Sequence, residues 1–304
     1  MARTGIADLT RMALDSERSK EDFKTEVSDA LVEAARHGHL DNVKLLLKQV
    51  DDDTSWPGLS DAVTAAAAFG SIEPLQTLVE HFRRWQNFVW PDDLLHRASR
   101  LGFDTVVKTL FEVGYTAKLN SKVESFPYVS PLIICMRGRH KKVAELLVAS
   151  GEAEIDWKSP GGRTALDHAA HWGDGQIITY LLQHGANKDI DLTGGWRPIS
   201  TASFYGNFKT TEVLLQARVE MAWTTAELKD SAANKPLILA ADEGYHRCVE
   251  AIVSNTEADP DQKNTALRTA VEEKKLEVAC ILLQYDTDPN TASDEIKLPL
   301  LTAV

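Results

Sequence analysis

Disulfide chemistry is the first thing this sequence leaves out. Three cysteines in 304 residues cannot build a disulfide framework, and a free Cys in such a chain behaves as a small buried hydrophobe in a reducing compartment. Also missing is any apolar run long enough to cross a bilayer. The opening Met-Ala-Arg-Thr-Gly-Ile-Ala-Asp has no apolar leader core. These absences predict a soluble, cytoplasmic protein without membrane insertion, the nucleus remaining open as a compartment. Basic charge is scarce: 33 Lys and Arg stand against 45 Asp and Glu, a net charge of -12. Phosphate neutralisation dominates nucleic-acid affinity, so nucleic acid is a poor candidate partner. The deficit is uneven. Residues 1–150 carry 19 basic and 21 acidic groups, and residues 151–304 carry 14 and 24.

Catalytic signatures are missing as well. There is no Gly-rich phosphate loop, no GxSxG elbow and no Cys/His nucleophile arrangement. "DHAAH" (Asp167–His171) sets two His on one helix near Asp174, but three loosely placed groups are not a zinc signature. No metal and no cofactor is expected.

What the sequence has is repetition. "ALVEAARHGHLDNVKLLL" from Ala30, "AVTAAAAFGSIEPLQTLV" from Ala62 and "ALDHAAHWGDGQIITYLL" from Ala165 share one frame. It recurs from Pro198, Pro236 and Ala266. The residues just before the frames are Asp29, Asp61, Asp93, Ser130, Thr164, Arg197, Lys235, Thr265 and Leu298. Their successive spacings are 32, 32, 37, 34, 33, 38, 30 and 33. That period near 33 points to a repeat architecture.

One unit reads as two helices. Asp29, Asp61, Asp93, Ser130, Thr164 and Thr265 are suited to N-capping. Pro131, Pro198, Pro236 and Pro299 follow at a first helical position that has no use for an N–H. Small pairs such as Ala34-Ala35 and Ala169-Ala170 let a neighbouring helix approach. Gly38, Gly70, Gly102, Gly173, Gly206 and Gly244 then end the short helix. A second helix carries Leu45-Leu46-Leu47 or its equivalents.

This pattern resembles the ankyrin repeat family, whose signature is fullest in "TALDHAAHWG" (Thr164–Gly173) and "KPLILAADEG" (Lys235–Gly244). The resemblance implies an all-α ankyrin-repeat solenoid of helix–turn–helix units with β-turn fingers. About eight repeats and a partial ninth form one continuous array over residues 27–304, behind a helical N-terminal cap at 1–26. The sequence departs from the family where Arg139 and Lys274 occupy Gly positions. The family's His after Leu survives only at His96; Asp167 stands there in the fifth repeat.

An ankyrin frame carries no chemistry of its own. The two residues before the helix-ending Gly, and one a turn earlier, are free to face the concave groove. That stripe sets Arg97, Arg100 and Arg137 beside His168, His171, Trp172, Phe204 and Tyr205, with the finger residue Trp196 leaning over them. Arg and aromatic side chains are the types enriched in binding hot spots. The leading expectation is an interaction scaffold that takes a protein partner in the groove. A small-molecule binder or unusual enzyme using the same centre is the second reading, with His171 as acid–base group oriented by Asp167 or Asp242. A regulatory fragment of a larger multidomain protein is the third.

Overall fold

The computed structural model describes residues 20–50, 56–85, 88–115, 129–217, 235–255 and 260–285. The start of the predicted cap, most of the two long connections and the predicted ninth helix lie outside these residues. Among the described residues are sixteen α-helices and no strand. They are α1 Lys20–Arg36, α2 Leu40–Leu47, α3 Leu59–Phe69, α4 Ile72–Phe82, α5 Leu94–Leu101, α6 Asp104–Glu112, α7 Pro131–Arg137 and α8 Lys141–Ala149. Then follow α9 Ala165–Trp172, α10 Gly175–Gln183, α11 Pro198–Phe204, α12 Phe208–Gln216, α13 Pro236–Glu243, α14 His246–Asn255, α15 Pro260–Glu272 and α16 Leu276–Gln284. The helices form eight successive pairs, which fits the eight full repeats.

The chain divides into two compact units, Met1–Glu154 and Ile155–Val304. In the first, inner helices α1, α3, α5 and α7 pack in succession, and so do outer helices α2, α4, α6 and α8. In the second, α9, α11, α13 and α15 form the inner row and α10, α12, α14 and α16 the outer row. The Ala pairs explain the close inner row: Ala34, Ala35, Ala66, Ala67, Ala169, Ala170, Ala240 and Ala241 are all fully buried. Cys135 fills an equivalent core position, and Cys248 is buried on α14.

Capping departs from expectation in part. Ser130 and Thr164 accept the backbone N–H of Ile133 and Asp167. Asp93 sits at its N-cap but turns to Arg97, 2.7 Å away. Asp29 and Thr265 lie inside helices that begin a turn or more earlier, and Asp61 inside one that begins two residues earlier. Asp174, weighed in the sequence only beside the two His of DHAAH, caps α10 by accepting from Gln176 and Ile177.

The turn between inner and outer helix decides how pairs stack. Its residue is left-handed at Gly38, Gly70, Gly102, Gly173, Gly206 and Gly244, and also at Arg139 (φ 60°) and Lys274 (φ 58°). The side chain that follows this residue reaches back to the preceding pair. Asn207 donates to the carbonyls of Ala170 (2.7 Å) and His171 (2.9 Å). The Ser71 hydroxyl donates to the Arg36 carbonyl at 3.3 Å, and His140 Nε2 bonds the Arg100 carbonyl at 3.1 Å. These contacts satisfy carbonyls that a helix end leaves orphaned. The same side chains cover the earlier glycines. A Cβ on Gly173 would lie 2.6 Å from Asn207 Oδ1, and one on Gly206 2.6 Å from the Tyr245 ring.

His96 on α5 is fully buried. Burial holds its pKa down to about 4, against the opposing pull of Asp93 and of a hydrogen bond with the Val129 backbone.

Gly173→Val forces a branched side chain into a left-handed turn already covered by Asn207, and should cost about 2–3 kcal/mol. Lys274→Gly relieves an exposed L-residue of the same conformation and should gain about 1 kcal/mol; chemical denaturation measures both. His96 binds its proton more weakly folded than unfolded. Its contribution to stability is therefore present above about pH 6.5 and is lost as pH falls toward about 4. Melting curves across that window should show the loss, and His96→Leu should flatten it.

Candidate functional site

In the second unit, α9 and α11 lie side by side in the inner row. Each ends with aromatic residues because the last positions before the left-handed turn escape the helix-to-helix contact. Trp172 is 39% and Tyr205 40% exposed. They belong to a chain of edge-on ring contacts. His171 meets Trp172 at 4.4 Å and Tyr205 at 4.1 Å; Phe204 meets Tyr205 at 5.0 Å and Trp196 at 5.4 Å. Edge-to-face is one of the favoured arrangements for aromatic pairs. Five sequence-predicted residues are thus brought together as one ladder.

The residue a turn earlier behaves differently. His168 and Thr201 are buried, as are Ala65, Ile134 and Leu239 at equivalent positions. Helical side chains lean toward the N-terminus, so His168 and Thr201 are carried into the packed inner row. His168 is therefore a wall of the packed row, below the exposed ladder.

Two fingers flank the ladder. Ser159 N–H donates to the Arg163 carbonyl at 2.9 Å, and Leu192 N–H to the Trp196 carbonyl at 2.7 Å, closing successive loops. Gly162 and Thr193 touch, leaving no room for a Cβ on Gly162. The second loop carries Trp196 toward Phe204. Between the fingers and the inner helices lies a cavity of about 250 Å³ lined by Gly161, Arg163, Asp167, Leu192, Thr193, Trp196, Thr201 and Tyr205.

Asp167 forms part of its floor. The residue is 1% exposed. Thr201 donates its hydroxyl to Oδ1. Oδ2 accepts no hydrogen bond and has Arg163 Nε at 3.5 Å. Burial pushes the Asp167 pKa up, opposed by the Thr201 hydrogen bond and the charges of Arg163 and His171. An ionised carboxylate there is held at a cost, because desolvation disfavours the charged form.

The predicted arginines lie in the first unit. Arg97 is engaged by Asp93 through both Nε and NH2, each at 2.7 Å. Arg100 and Arg137 are exposed at the ends of α5 and α7, which pack together. Of the predicted catalytic groups, Asp167 and His171 sit one turn apart on α9, and the His171 charge acts on Asp167. His171 does not line the cavity. Asp242 lies exposed at the end of α13, with α11 standing between α9 and α13.

The first unit also holds an aromatic cluster outside the predicted stripe. Phe82 stacks on Phe88 at 4.5 Å, Trp85 meets Phe82 edge-on at 5.1 Å, and Phe88 meets Trp90 at 4.9 Å. A cavity of about 420 Å³ lies against Trp56, Leu59, Trp85, Phe88 and Val89.

Comparison with known proteins bears on this frame. The family model described as ankyrin repeats (3 copies) matches residues 95–193, 132–224 and 199–293. The chain belongs to the ankyrin repeat family. A relative from Caenorhabditis elegans, the ankyrin repeat and KH domain-containing protein mask-1, is 25% identical over 323 residues; the match covers 97% of this chain and 12% of that protein. Palmitoyltransferase AKR1 of Saccharomyces cerevisiae is 32% identical over 87 residues, 29% of this chain and 11% of the relative. The ankyrin chain thus spans a small part of the curated relatives it matches. Among solved structures, the human ASB11 ankyrin repeat domain superposes with a TM-score of 0.55 at 25% identity, covering 68% of this chain and 89% of its own. An ankyrin repeat domain from Acinetobacter baumannii gives 0.56 at 19% identity, covering 65% and 100%. Ankyrin repeats as a class mediate protein–protein contacts.

Arg163 and Thr201 were missed as site residues by sequence reasoning. The available signal was Asp167 at the family's His position, since a carboxylate buried there requires donors nearby. Because the Asp167 pKa is raised on folding, its contribution is favourable below the ordinary carboxylate range and is lost as pH rises through the folded value. Asp167→Asn should therefore gain stability relative to wild type as pH is raised from 4 to 7, read from paired denaturation curves.

Proposed function

We propose that this chain is an interaction scaffold that takes a protein partner on the inner-helix face of its second unit. The observation that carries the reading is the exposed aromatic ladder from Trp172 through His171, Tyr205 and Phe204 to Trp196. Core packing leaves Trp172 and Tyr205 well exposed. Large aromatic side chains bury much area at small entropic cost, and such anchors dominate interface energies. A cavity of about 250 Å³ is below the range of most small-molecule sites, which favours a polypeptide partner over a free metabolite. Net charge of -12 speaks against nucleic acid. Buried thiols at Cys135 and Cys248 suit the reducing cytoplasm, where we place the protein.

The test is affinity capture from cytoplasmic extract, quantified protein by protein. Wild type is compared with Trp172→Ala/Tyr205→Ala and with Gln183→Ala on outer helix α10. Each anchor should contribute about 2 kcal/mol to partner affinity, so proteins lost only with the double variant are groove partners. Both variants should retain the wild-type melting temperature within a few degrees. An identical capture profile for all three proteins would refute the proposal.

A further inference from the structure

We propose that the cavity between the fingers and the inner helices of the second unit receives one cationic side chain, lysine or arginine, from a basic segment of the partner. The inference rests on the groove reading above and gives the partner a chemistry.

The floor is an acid with an acceptor to spare. Asp167 is 1% exposed, its Oδ1 takes the Thr201 hydroxyl, and its Oδ2 accepts no hydrogen bond. Buried carboxylate oxygens are ordinarily paired, so Oδ2 is the position from which a donor is missing. The walls suit that donor. Trp196 and Tyr205 line the space, and aromatic faces attract a cation while covering its methylene stem. At about 250 Å³ the cavity has room for one long side chain.

The chain's own Arg163 already answers the charge in part. Its Nε stands 3.5 Å from Oδ2, and the side chain is 40% exposed. A charge-assisted bond to a carboxylate closes to roughly 2.7–2.9 Å, so this pair is loose. A second cation entering along Tyr205 can make the closer contact as Arg163 swings outward. The wider field favours the same sign of ligand. Residues 155–304 carry 22 acidic and 14 basic side chains, which attracts a basic segment and speeds its docking.

The probe is acetyl-Gly-Lys-Gly-amide, with acetyl-Gly-Arg-Gly-amide beside it and the norleucine tripeptide as uncharged control. The readout is the Trp196 indole N–H resonance, assigned by its absence in Trp196→Phe. Both cationic peptides should shift it saturably, and the norleucine peptide should bind about tenfold more weakly. Asp167→Asn should remove the preference for charge. Arg163→Ala should tighten the lysine peptide severalfold, because it removes the competing guanidinium. Tyr205→Leu, at a half-exposed position, gives the same reading as Asp167→Asn without touching the buried acid: the preference for the cation should fall. Equal binding of norleucine and lysine peptides would overturn the proposal. So would an unchanged charge preference in Asp167→Asn, or weaker lysine binding in Arg163→Ala. Because the probe is independent of the natural partner, saturable lysine binding together with a partner captured equally by the ladder variants would reject the groove reading and leave the cavity assignment standing.

Discussion

One turn governs the stacking of this protein: the left-handed residue between inner and outer helix, with the side chain that follows it. The left-handed residue ends the inner helix and exposes its last carbonyls. The next side chain reaches across to the carbonyls of the pair before it, as Asn207 does to Ala170 and His171. Glycine is favoured at the turn for two separate reasons. It adopts positive φ without strain, and it leaves space for the side chain arriving from the following pair, as Gly102 does for His140 and Gly244 for Lys275. Inner helices capped in this way hold their ends in register, and the aromatic ladder depends on that register.

The ladder and the buried acid sit at opposite ends of one design problem. Positions just before the turn stand clear of the neighbouring helix, so they accept Trp172 and Tyr205 without disturbing the core. At His168, Thr201 and Leu239, one turn earlier, the neighbouring helix covers the side chain. Asp167 occupies the first turn of α9 and is buried outright. A nearby hydroxyl and a loosely held guanidinium only partly compensate it. Burial raises its pKa against both of those partners, so ionising it costs the fold stability.

Much of the architecture was legible in the sequence because it is written in backbone chemistry. Pro131, Pro198 and Pro236 mark helix starts. The recurring glycines mark their ends, and even the substitutes Arg139 and Lys274 were placed correctly at the turn. Cap residues were less legible. Asp29, Asp61 and Thr265 have capping chemistry, but their helices begin earlier. At the candidate site, exposure of Trp172 and Tyr205 followed from spacing. Burial of His168 and Thr201 did not, because it depends on how a neighbouring helix lies across them. Arg163 was invisible for a related reason: its pairing with Asp167 arises from the finger's path, which no helical period encodes.

The back-reaching contact has a direction. Where it forms, from Ser71, His140 and Asn207, the carboxyl end of an inner helix is completed by the pair that comes after it. The chain between inner and outer helix is therefore fixed in length, since one added residue would pull the reaching side chain off its carbonyl. No such gauge acts on the connection from an outer helix to the next inner one. The two long spacings, 37 and 38 residues, both place their extra length there. New sequence can enter this protein on the finger side at little structural expense, so that is where an evolving lineage can lengthen its recognition surface while leaving the stack untouched.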